Sequence, residues 1–328
     1  MKKKILVTDR FAQDSYLFLQ QHAQFELVRS DHPQHLPLEH LVSANALLIR
    51  SRTLINEELL KKARQLQLII TGTSGFDHID LEATQKWGVT VMHTPSANIE
   101  SAAQLTWGLV LSCVNNIQQA HKMMKAGEWR RDAITGIELK GRTYGIVGLG
   151  RIGSRVAEIA QAFGMTVIAY DPYQEDDVFA RLKVPRLSYE EVLKTADILS
   201  FHVPKTLETE HMLNRSQFEY IHRGIVLINT SRGSVINEND LVEAIENGYL
   251  RAVGLDVFEK EPLPRTSNLL NYPHVVLTPH IGANTEDAFF KASQVAANKL
   301  MAFFNDGSTS DTLPPRAPWY GATPFKGE

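Results

Sequence analysis

The sequence predicts an α/β fold made of two domains, each built on a parallel sheet, with a cleft between them. At about 150 residues per domain, its 328 residues suggest two domains. Short β-rich runs alternate with amphipathic stretches along most of the chain, which is the pattern of βαβ units. After residue 142 the β-rich runs become almost continuously apolar, as parallel strands covered on both faces are.

A first series of elements fills roughly the first 99 residues. Each predicted strand is a short β-branched or aliphatic run bounded by polar residues, and each predicted helix shows amphipathic spacing. The strands are Lys4–Thr8, Phe25–Arg29, Ala46–Arg50 and Leu66–Thr71; the helices are Ser15–Gln21, Glu39–Val42 and Glu57–Ala63, with another after Asp80.

A second series begins with a long apolar segment, Ile99–Ala126, which predicts one buried or interface helix. The strands that follow it are Tyr144–Val147, Thr166–Tyr170, Ile198–Val203, Ile225–Asn229, Ala252–Val257 and Val275–Thr278. A last helix, Thr285–Phe304, comes late enough to return to the first domain. We therefore expect a substrate-binding domain of residues 1–99 plus 287–310, a nucleotide domain of residues 100–286, and an irregular, proline-rich tail of residues 311–328.

Composition excludes several classes of protein. Lys and Arg number 34 against 37 Asp and Glu, so a strongly basic nucleic-acid binder is excluded. No apolar run reaches the roughly 18 residues of a membrane span. Cys113 is the single cysteine, so no internal disulfide and no cysteine-based zinc site is expected. We expect no metal and a reducing, cytoplasmic location.

A glycine-rich loop follows the strand Tyr144–Val147 and opens an amphipathic helix. Gly148, Gly150 and Gly153 match the GxGxxG pattern, in which the glycines permit a tight turn, close approach of a pyrophosphate and close helix packing. A helix N-terminus also offers free N–H groups and a favourable dipole to phosphate. The loop therefore predicts a dinucleotide site.

An aspartate stands at the end of the next strand. Asp171 follows Gly153 at close to the ~20-residue spacing usual for the acid that hydrogen-bonds the adenosine ribose. Because a carboxylate there would repel a 2′-phosphate, the sequence favours NAD over NADP.

Three later strands end in polar residues that suit hydride-transfer chemistry. Ligands of an open α/β sheet bind at the carboxyl ends of its strands, so Arg232, Glu261 and His280 should converge near the nucleotide. His280 can exchange a proton near neutral pH, and Glu261 can hold one of its ring nitrogens and raise its pKa. Arg232 can bind a substrate carboxylate and polarise the adjacent carbonyl.

These segments resemble a known family. The glycine loop, Thr230–Gly233, Asp256–Pro262 and Pro279–Gly282 look like signatures of the D-isomer-specific 2-hydroxyacid dehydrogenases, and the resemblance covers roughly residues 4–305. It implies two Rossmann-like or flavodoxin-like domains, NAD as cofactor, and catalytic roles for Arg232, Glu261 and His280.

The resemblance also implies a set of cofactor contacts and an assembly. Asp256 would lie at the nicotinamide carboxamide. The implied NAD contacts are Gly148, Gly150, Arg151, Ile152, Gly153, Asp171, Val203, Thr230, Asp256, Gly282 and Ser74. Members of the family are commonly dimers joined through the nucleotide domain, which suits the long apolar segment after Asn98. The partners expected are therefore a small anionic acid and a second copy of the chain, with no nucleic acid or membrane.

Within the family, the stretch from Gly75 to Asp171 is most similar to the D-3-phosphoglycerate dehydrogenases. This likeness implies interconversion of 3-phosphoglycerate and 3-phosphohydroxypyruvate, a step of serine biosynthesis. Substrate contacts are expected from Arg50 and Arg232, and from Ser74 and Gly75 in a loop whose N–H groups would form an anion nest.

Two alternatives remain open. Thr71 stands where some phosphoglycerate enzymes of the family carry a further arginine, so a hydroxypyruvate or glyoxylate reductase, or a broad D-2-hydroxyacid dehydrogenase, is an alternative. Co-repressors related to this family bind NAD and serve as interaction modules. An NAD-sensing binding protein is therefore a second, more distant alternative.

Overall fold

The computed structural model describes residues 2–30 and 32–321. It divides into two compact units: Met1–Asn98 with Ala283–Tyr320, and Ile99–Gly282. Each unit contains one six-stranded sheet whose strands are joined mainly through helices. The predicted fold class, α/β with two parallel-sheet domains, is confirmed.

The sheet of the first unit has the strand order β12-β5-β4-β3-β1-β2. Its first five strands in sequence are parallel to one another. The strands are β1 (Lys3–Val7), β2 (Phe25–Arg29), β3 (Ala46–Ile49), β4 (Leu68–Thr71), β5 (Thr90–His93) and β12 (Thr312–Leu313); the helices are α1 (Gln13–Gln20), α2 (Leu38–Leu41), α3 (Glu57–Lys62), α4 (Leu81–Lys86) and α12 (Glu286–Asp306).

Local sequence explains the boundaries of these elements. The central strands β3 and β4 are buried along their whole length, which fits their aliphatic composition. Helices α3 and α4 begin where the side chains of Asn56 and Asp80 accept a backbone N–H three residues later, at 2.9 Å each. Ala296 and Leu300 of α12 pack against strand residues such as Ile5, so this late helix completes the core of the first unit.

The prediction of an irregular tail over residues 311–328 is wrong for Thr312–Leu313. These two residues form β12, antiparallel to β5, with Leu313 opposite Val91. The buried ammonium group of Lys299 joins the chain before β12 to the end of β5. It donates to Asp311 Oδ2 at 2.7 Å and to the carbonyl oxygen of His93 at 2.7 Å. A two-residue strand has no periodicity of its own, because its position is set by the sheet edge that it joins. Residues 322–328 lie outside the described residues.

The sheet of the second unit is parallel throughout, with the order β11-β10-β9-β8-β6-β7. A bridge between Ala169 and Arg186 extends it beyond β7. The strands are β6 (Thr143–Val147), β7 (Thr166–Tyr170), β8 (Ile198–Phe201), β9 (Ile225–Asn229), β10 (Leu250–Leu255) and β11 (Val275–Leu277); the helices are α5 (Ile99–Asn115), α6 (Ile117–Lys125), α7 (Arg151–Ala162), α8 (Asp176–Leu182), α9 (Tyr189–Thr195), α10 (Arg215–Phe218) and α11 (Glu238–Glu246).

The segment predicted as one helix, Ile99–Ala126, forms two helices. Asn116 adopts the left-handed conformation, with φ of 52°, and separates α5 from α6. The first helix is apolar and buried on most of its faces, whereas none of the residues of α6 is buried. Asparagine tolerates this conformation better than most residues, and it stands where the sequence changes from apolar to amphipathic.

Residues 2–30 and 32–321 contain neither a candidate membrane span nor a metal-binding cluster. Within this part of the chain no helix has the length and apolarity required to cross a membrane. The same residues contain no group of three or more His, Cys, Asp or Glu side chains able to hold a metal ion.

Candidate active site

The glycine loop connects β6 to α7, and each glycine has a different environment. Gly148 has φ of 93°, and a Cβ on it would lie 2.6 Å from the carbonyl oxygen of His202 and 2.9 Å from Cγ1 of Val203. A Cβ on Gly153 would lie 2.0 Å from the carbonyl oxygen of Gly148, so only glycine lets α7 start this close to β6. Among the described residues, nothing lies within 4 Å of the corresponding position on Gly150. The backbone at Gly150 is therefore open to a ligand.

The N-terminus of α7 begins beside this open backbone. Gly150 is its N-cap and brings no side chain to cover the first turn. The first N–H groups of a helix, here those of Arg151 and Ile152, have no partner inside the helix and lie at the positive end of its dipole. This end of α7 is suited to a pyrophosphate.

Asp171 follows β7 and lies beside the glycine loop. Its Oδ2 accepts the N–H of Leu149 at 2.8 Å, and its Oδ1 accepts the N–H groups of Tyr173 and Gln174 at 3.0 and 3.1 Å. Three backbone donors thus fix the carboxylate. A carboxylate oxygen accepts two hydrogen bonds, so Oδ2 keeps one position for a ligand hydroxyl.

A second carboxylate, which sequence reasoning missed, binds the same tyrosine, Tyr173, whose N–H Asp171 accepts. Glu208 accepts the hydroxyl of Tyr173, and its charge also raises the pKa of Tyr170, where burial is the larger cause and the value reaches about 12. Glu208 comes from the loop after β8. No local pattern links that loop to Asp171, so only the fold reveals that both carboxylates bind Tyr173.

The turn after β9 holds Arg232. Asn229, buried at the end of the strand, accepts the N–H of Ser231 at 3.0 Å and donates to the carbonyl oxygen of Arg232 at 2.9 Å. A Cβ on Gly233 would lie 1.9 Å from the carbonyl carbon of Phe258, so the arginine turn packs directly against the segment that leads to Glu261. Asn229 and Gly233 therefore fix where the Arg232 side chain begins.

Thr230, in the same turn, has its Oγ1 2.8 Å from Oγ1 of Thr106 on α5. This contact joins the turn to the helix that covers the sheet. Val203, another predicted NAD contact, lies against Gly148 at the base of the glycine loop.

Glu261 and His280 form a hydrogen-bonded pair. Nδ1 of His280 and Oε2 of Glu261 are 2.7 Å apart, and the other carboxylate oxygen accepts the N–H of Phe258 at 3.1 Å. The bond to Glu261 raises the pKa of His280, although burial and Arg232 oppose this effect. Burial raises the pKa of Glu261, but His280, the N–H of Phe258 and Arg232 outweigh it, and the pKa is lowered overall. The pair is therefore a charged carboxylate next to an imidazole that gains protons readily.

Asp256 holds the loop that carries His280. The residue is 0% exposed, and its carboxylate accepts the hydroxyl of Thr278 at 2.6 Å and the N–H groups of Ile281 and Gly282 at 2.9 and 2.8 Å. His280 itself has φ of 52° and donates its N–H to the carbonyl oxygen of Asp256 at 2.8 Å. The structure shows Asp256 as an internal anchor, and its contact with nicotinamide stays a prediction.

A second histidine–carboxylate pair, also missed from the sequence, stabilises the neighbouring segment. Nε2 of His211 lies 2.8 Å from Oε1 of Glu259. Glu238 at the start of α11 and Glu259 each accept the other's backbone N–H, at 2.7 and 3.1 Å. Burial, followed by the charges of Glu259 and Glu261, raises the pKa of Glu238. These contacts anchor the residues just before Glu261.

Three predicted substrate contacts belong to the first unit. Arg50 follows β3, and Ser74 and Gly75 lie in the loop after β4. The hydroxyl of Ser74 donates to the carbonyl oxygen of Pro95 at 3.4 Å, and the carbonyl oxygen of Gly75 accepts the hydroxyl of Thr73 at 2.7 Å. Both bonds order the loop.

Arg232, Glu261 and His280 thus lie on adjacent loops of the second unit, together with the glycine loop and Asp171. An open backbone at Gly150, a helix N-terminus and a fixed carboxylate are the features that a dinucleotide requires. The residues present therefore fit NAD.

Comparison with known proteins supports this reading. The NAD-binding-domain profile of the D-isomer specific 2-hydroxyacid dehydrogenases matches residues 107–282. A D-3-phosphoglycerate dehydrogenase of Methanocaldococcus jannaschii is 39% identical over 298 residues, which are 90% of this chain and 56% of that relative. A glyoxylate reductase of Aeropyrum pernix is 36% identical over 284 residues, which are 83% of this chain and 85% of that relative.

A solved structure agrees with these relatives. The D-lactate dehydrogenase of Aquifex aeolicus, complexed with NAD and lactic acid, superposes with a TM-score of 0.82 at 32% identity and covers 92% of this chain and 96% of its own. This chain spans little more than half the length, 56%, of the first phosphoglycerate relative. The predictions of the family and of NAD as cofactor are confirmed. The chain belongs to the D-isomer specific 2-hydroxyacid dehydrogenase family.

Proposed function

We propose that this chain is an NAD-dependent oxidoreductase that transfers a hydride between nicotinamide and C2 of a D-2-hydroxy acid or the matching 2-oxo acid. The observation that carries the proposal is the 2.7 Å contact between His280 and Glu261. It lies in the same unit as Arg232 and a glycine loop that fits a dinucleotide. A proton-exchanging pair, an anion-binding arginine and a nucleotide loop together suit this reaction.

The proton is handled by His280. Glu261 holds Nδ1, which fixes the tautomer and leaves Nε2 for the substrate. In oxidation of the hydroxy acid Nε2 accepts the hydroxyl proton, and in the reverse direction the protonated ring returns it to the forming alkoxide. NAD, when bound, accepts or supplies the hydride. Arg232 binds the substrate carboxylate and stabilises negative charge that develops on the C2 oxygen.

The glycine loop and its neighbours hold the cofactor in this proposal. The N–H groups at the start of α7 bind the pyrophosphate, and Asp171 accepts a ribose hydroxyl through the free position of Oδ2. Glu208, which binds the hydroxyl of Tyr173, adds a second negative charge to this region, and that charge opposes a 2′-phosphate. The remaining contacts proposed are those of Val203, Thr230, Asp256, Gly282 and Ser74.

For the substrate we propose 3-phosphoglycerate and 3-phosphohydroxypyruvate, which would place the reaction in serine biosynthesis. The support is the 39% identity to a D-3-phosphoglycerate dehydrogenase over 90% of this chain. Arg50 and the loop of Ser74 and Gly75 are the proposed contacts in the first unit.

A glyoxylate or hydroxypyruvate reductase is the second candidate. Its support is the Aeropyrum pernix glyoxylate reductase, since the match covers 85% of that relative, compared with 56% of the phosphoglycerate relative. A substrate panel separates the two. Phosphohydroxypyruvate, hydroxypyruvate, glyoxylate and pyruvate are each offered with NADH, and kcat/KM is compared.

The highest kcat/KM with phosphohydroxypyruvate supports the first candidate, and the highest value with glyoxylate or hydroxypyruvate supports the second. Tight NAD binding without turnover of any 2-oxo acid would contradict the oxidoreductase proposal. That result would favour the NAD-sensing binding protein instead.

We also propose a homodimer formed through the second unit. Helix α6 has no buried residue, and Ile117 and Met124 on it are 51% and 53% exposed. Trp129, just after it, is 76% exposed. Large apolar side chains grouped in this way are typical of an interface. Sedimentation should show a dimer that Trp129→Glu with Met124→Glu weakens; a wild-type monomer at micromolar concentration would contradict it.

A cytoplasmic location is proposed from the cysteine content alone. Cys113 is buried and free, and burial raises the pKa of its thiol to about 12. A chain with one cysteine forms no internal disulfide, which suits a reducing compartment.

A further inference from the structure

His93, the last residue of β5, joins the C-terminal segment of the chain to the loop after β4. Its N–H donates to the carbonyl oxygen of Asp311 at 3.1 Å, and its carbonyl oxygen accepts the ammonium group of Lys299 at 2.7 Å. The ring makes a separate contact, because Nδ1 lies 2.8 Å from the carbonyl oxygen of Ser74. A carbonyl oxygen can only accept, so Nδ1 carries the proton of this bond. The backbone of His93 is thus held by one segment while its side chain holds another.

The bond from the ring fixes one peptide group of the loop. The carbonyl oxygen of Ser74 and the N–H of Gly75 belong to the same peptide group, which is planar and trans. In such a group the N–H points away from the carbonyl oxygen. By holding that oxygen, His93 therefore also determines the direction in which the N–H of Gly75 points.

The two neighbouring peptide groups are held by the loop and by backbone. The carbonyl oxygen of Thr73 accepts the N–H of Thr94 at 3.1 Å, and the carbonyl oxygen of Gly75 accepts the hydroxyl of Thr73 at 2.7 Å. The bond between His93 and Ser74 differs from both, since its donor is a side chain that belongs to another element. It can therefore be removed without changing the loop itself.

Aromatic packing keeps the ring of His93 in place. Phe76, directly after the loop, has its ring centre 5.8 Å from that of His93, and the two rings meet edge to face at 85°. Tyr320, near the end of the described chain, lies 6.5 Å from the same phenylalanine ring. Edge-to-face contacts of this kind favour one orientation of the ring. The imidazole is therefore directed at the loop by Phe76 as well as by its own hydrogen bond.

We propose that His93 is a positioning residue for the loop of Ser74 and Gly75, and that its Nδ1 sets the direction in which Gly75 presents its N–H to the substrate. This inference rests on the proposed function, in which that loop contacts the 2-hydroxy or 2-oxo acid. His93 itself acts through the loop and exchanges no proton with the substrate.

The first test is His93→Leu, which removes the N–H donor and keeps a side chain of similar bulk against Phe76. Loss of one hydrogen bond that orders a binding loop should raise KM for the 2-oxo acid about threefold to tenfold. Because the same contact serves the ground state and the transition state, kcat should change by less than about twofold. Steady-state kinetics with the 2-oxo acid of highest kcat/KM and a NAD titration measure these values.

Two further variants separate positioning from general structure. His93→Asn restores a donor, since the amide nitrogen of asparagine occupies about the same place relative to the backbone as Nδ1, and KM should return to within about twofold of wild type. His22→Leu is the matched control. Nδ1 of His22 lies 2.9 Å from the carbonyl oxygen of Phe18, so the same kind of bond is lost elsewhere in the same unit. KM should not change in this variant.

A second measurement does not depend on turnover. The N–H groups of Gly72 and Ile79, which flank the loop, are bonded to the carbonyl oxygens of Ile49 and Phe76 at 2.8 and 3.0 Å. Amide hydrogen exchange of the peptide 72–79 should become about threefold to tenfold faster in His93→Leu and keep its wild-type rate in His93→Asn and His22→Leu. If no 2-oxo acid is reduced, the proposed function fails, and this exchange alone decides whether His93 orders the loop.

Three results would overturn the inference. The first is a wild-type KM and a wild-type exchange rate in His93→Leu, even if its Tm falls, because the bond would then serve stability alone. The second is a raised KM that His93→Asn does not restore. The third is an equal rise of KM in His22→Leu.

Discussion

The two units place their first loop at the same point of the same strand order but give it opposite chemistry. In the first unit β1 lies between β2 and β3, and in the second unit β6 lies between β7 and β8. The loop after β6 is rich in glycine and offers backbone N–H groups. The loop after β1 contains Asp9 and Arg10 and offers side-chain charge instead.

The same inversion occurs one strand further along. Asp171, after β7, accepts the N–H of Leu149 in its first loop, whereas Arg29, at the end of β2, donates to the carbonyl oxygen of Phe11 in its own first loop at 3.3 Å. One carboxylate and one guanidinium thus fix equivalent loops through opposite backbone groups. The topology determines where a ligand can bind, and the side chains determine which ligand it is.

If the chemistry belongs to the second unit, the largest effect should come from His280→Ala. Loss of the proton-exchanging group should lower kcat roughly a hundredfold to ten-thousandfold, with NAD binding largely kept. Steady-state kinetics and a NAD titration measure both. His222→Ala, which removes an exposed histidine of the same unit, is the control. A near-normal kcat in His280→Ala would end the assignment.

Glu261→Gln should have the next largest effect and should also move the pH profile. Glu261 is the main cause of the raised pKa of His280, so its neutral replacement lowers that pKa. Reduction of a 2-oxo acid needs protonated His280. As the pH rises, the reduction rate of the variant should therefore begin to fall at a lower pH than the rate of wild type. Oxidation needs the neutral ring and should reach its plateau at lower pH. We expect kcat to drop at least tenfold.

The control for this profile is Glu259→Gln. Its carboxylate is paired with His211, and it makes no contribution to the pKa of His280. If the pH dependence of the rate is unchanged in Glu261→Gln, or shifts equally in Glu259→Gln, then Glu261 does not control the protonation of His280.

The glycine loop permits a matched pair of substitutions. Gly153→Ala puts a methyl group 2.0 Å from a carbonyl oxygen and should lower the free energy of unfolding by about 1–3 kcal/mol or more. Gly150→Ala meets no atom within 4 Å among the described residues, so the protein should keep its Tm but bind NAD about tenfold more weakly. Thermal melts and NAD titrations separate the two. Equal Tm losses would mean that Gly150 serves packing rather than the cofactor.

How well the sequence predicts a feature depends on how far apart in the chain the interacting residues lie. The glycine loop, Asp171 and the three loops of Arg232, Glu261 and His280 are local patterns at strand ends, and parallel topology brings them together. The contact of Glu208 with Tyr173 was not predictable, because the two residues lie on loops that are distant in sequence.

The misjudged elements have the same cause. Strand β12 is too short to carry a periodicity, and its pairing with β5 depends on the distant Lys299. The break at Asn116 depends on one left-handed residue within a segment of helical composition. Local composition therefore predicted where helix and strand occur but not these tertiary exceptions.

The smallest expected effect concerns Asp171, whose equivalent in the first unit is Arg29. Asp171→Ala removes one of two negative charges near the ribose site and should lower the preference for NAD over NADP about tenfold, measured as the ratio of kcat/KM values. Glu208→Gln should lower this preference two- to threefold, because the repulsion between Glu208 and a 2′-phosphate weakens with distance and with solvent screening. Glu219→Gln, an exposed carboxylate of the same unit, should leave the ratio unchanged. If Asp171→Ala retains the wild-type preference, the ribose acid lies elsewhere, and the opposite charges of Asp171 and Arg29 would reflect loop anchoring alone.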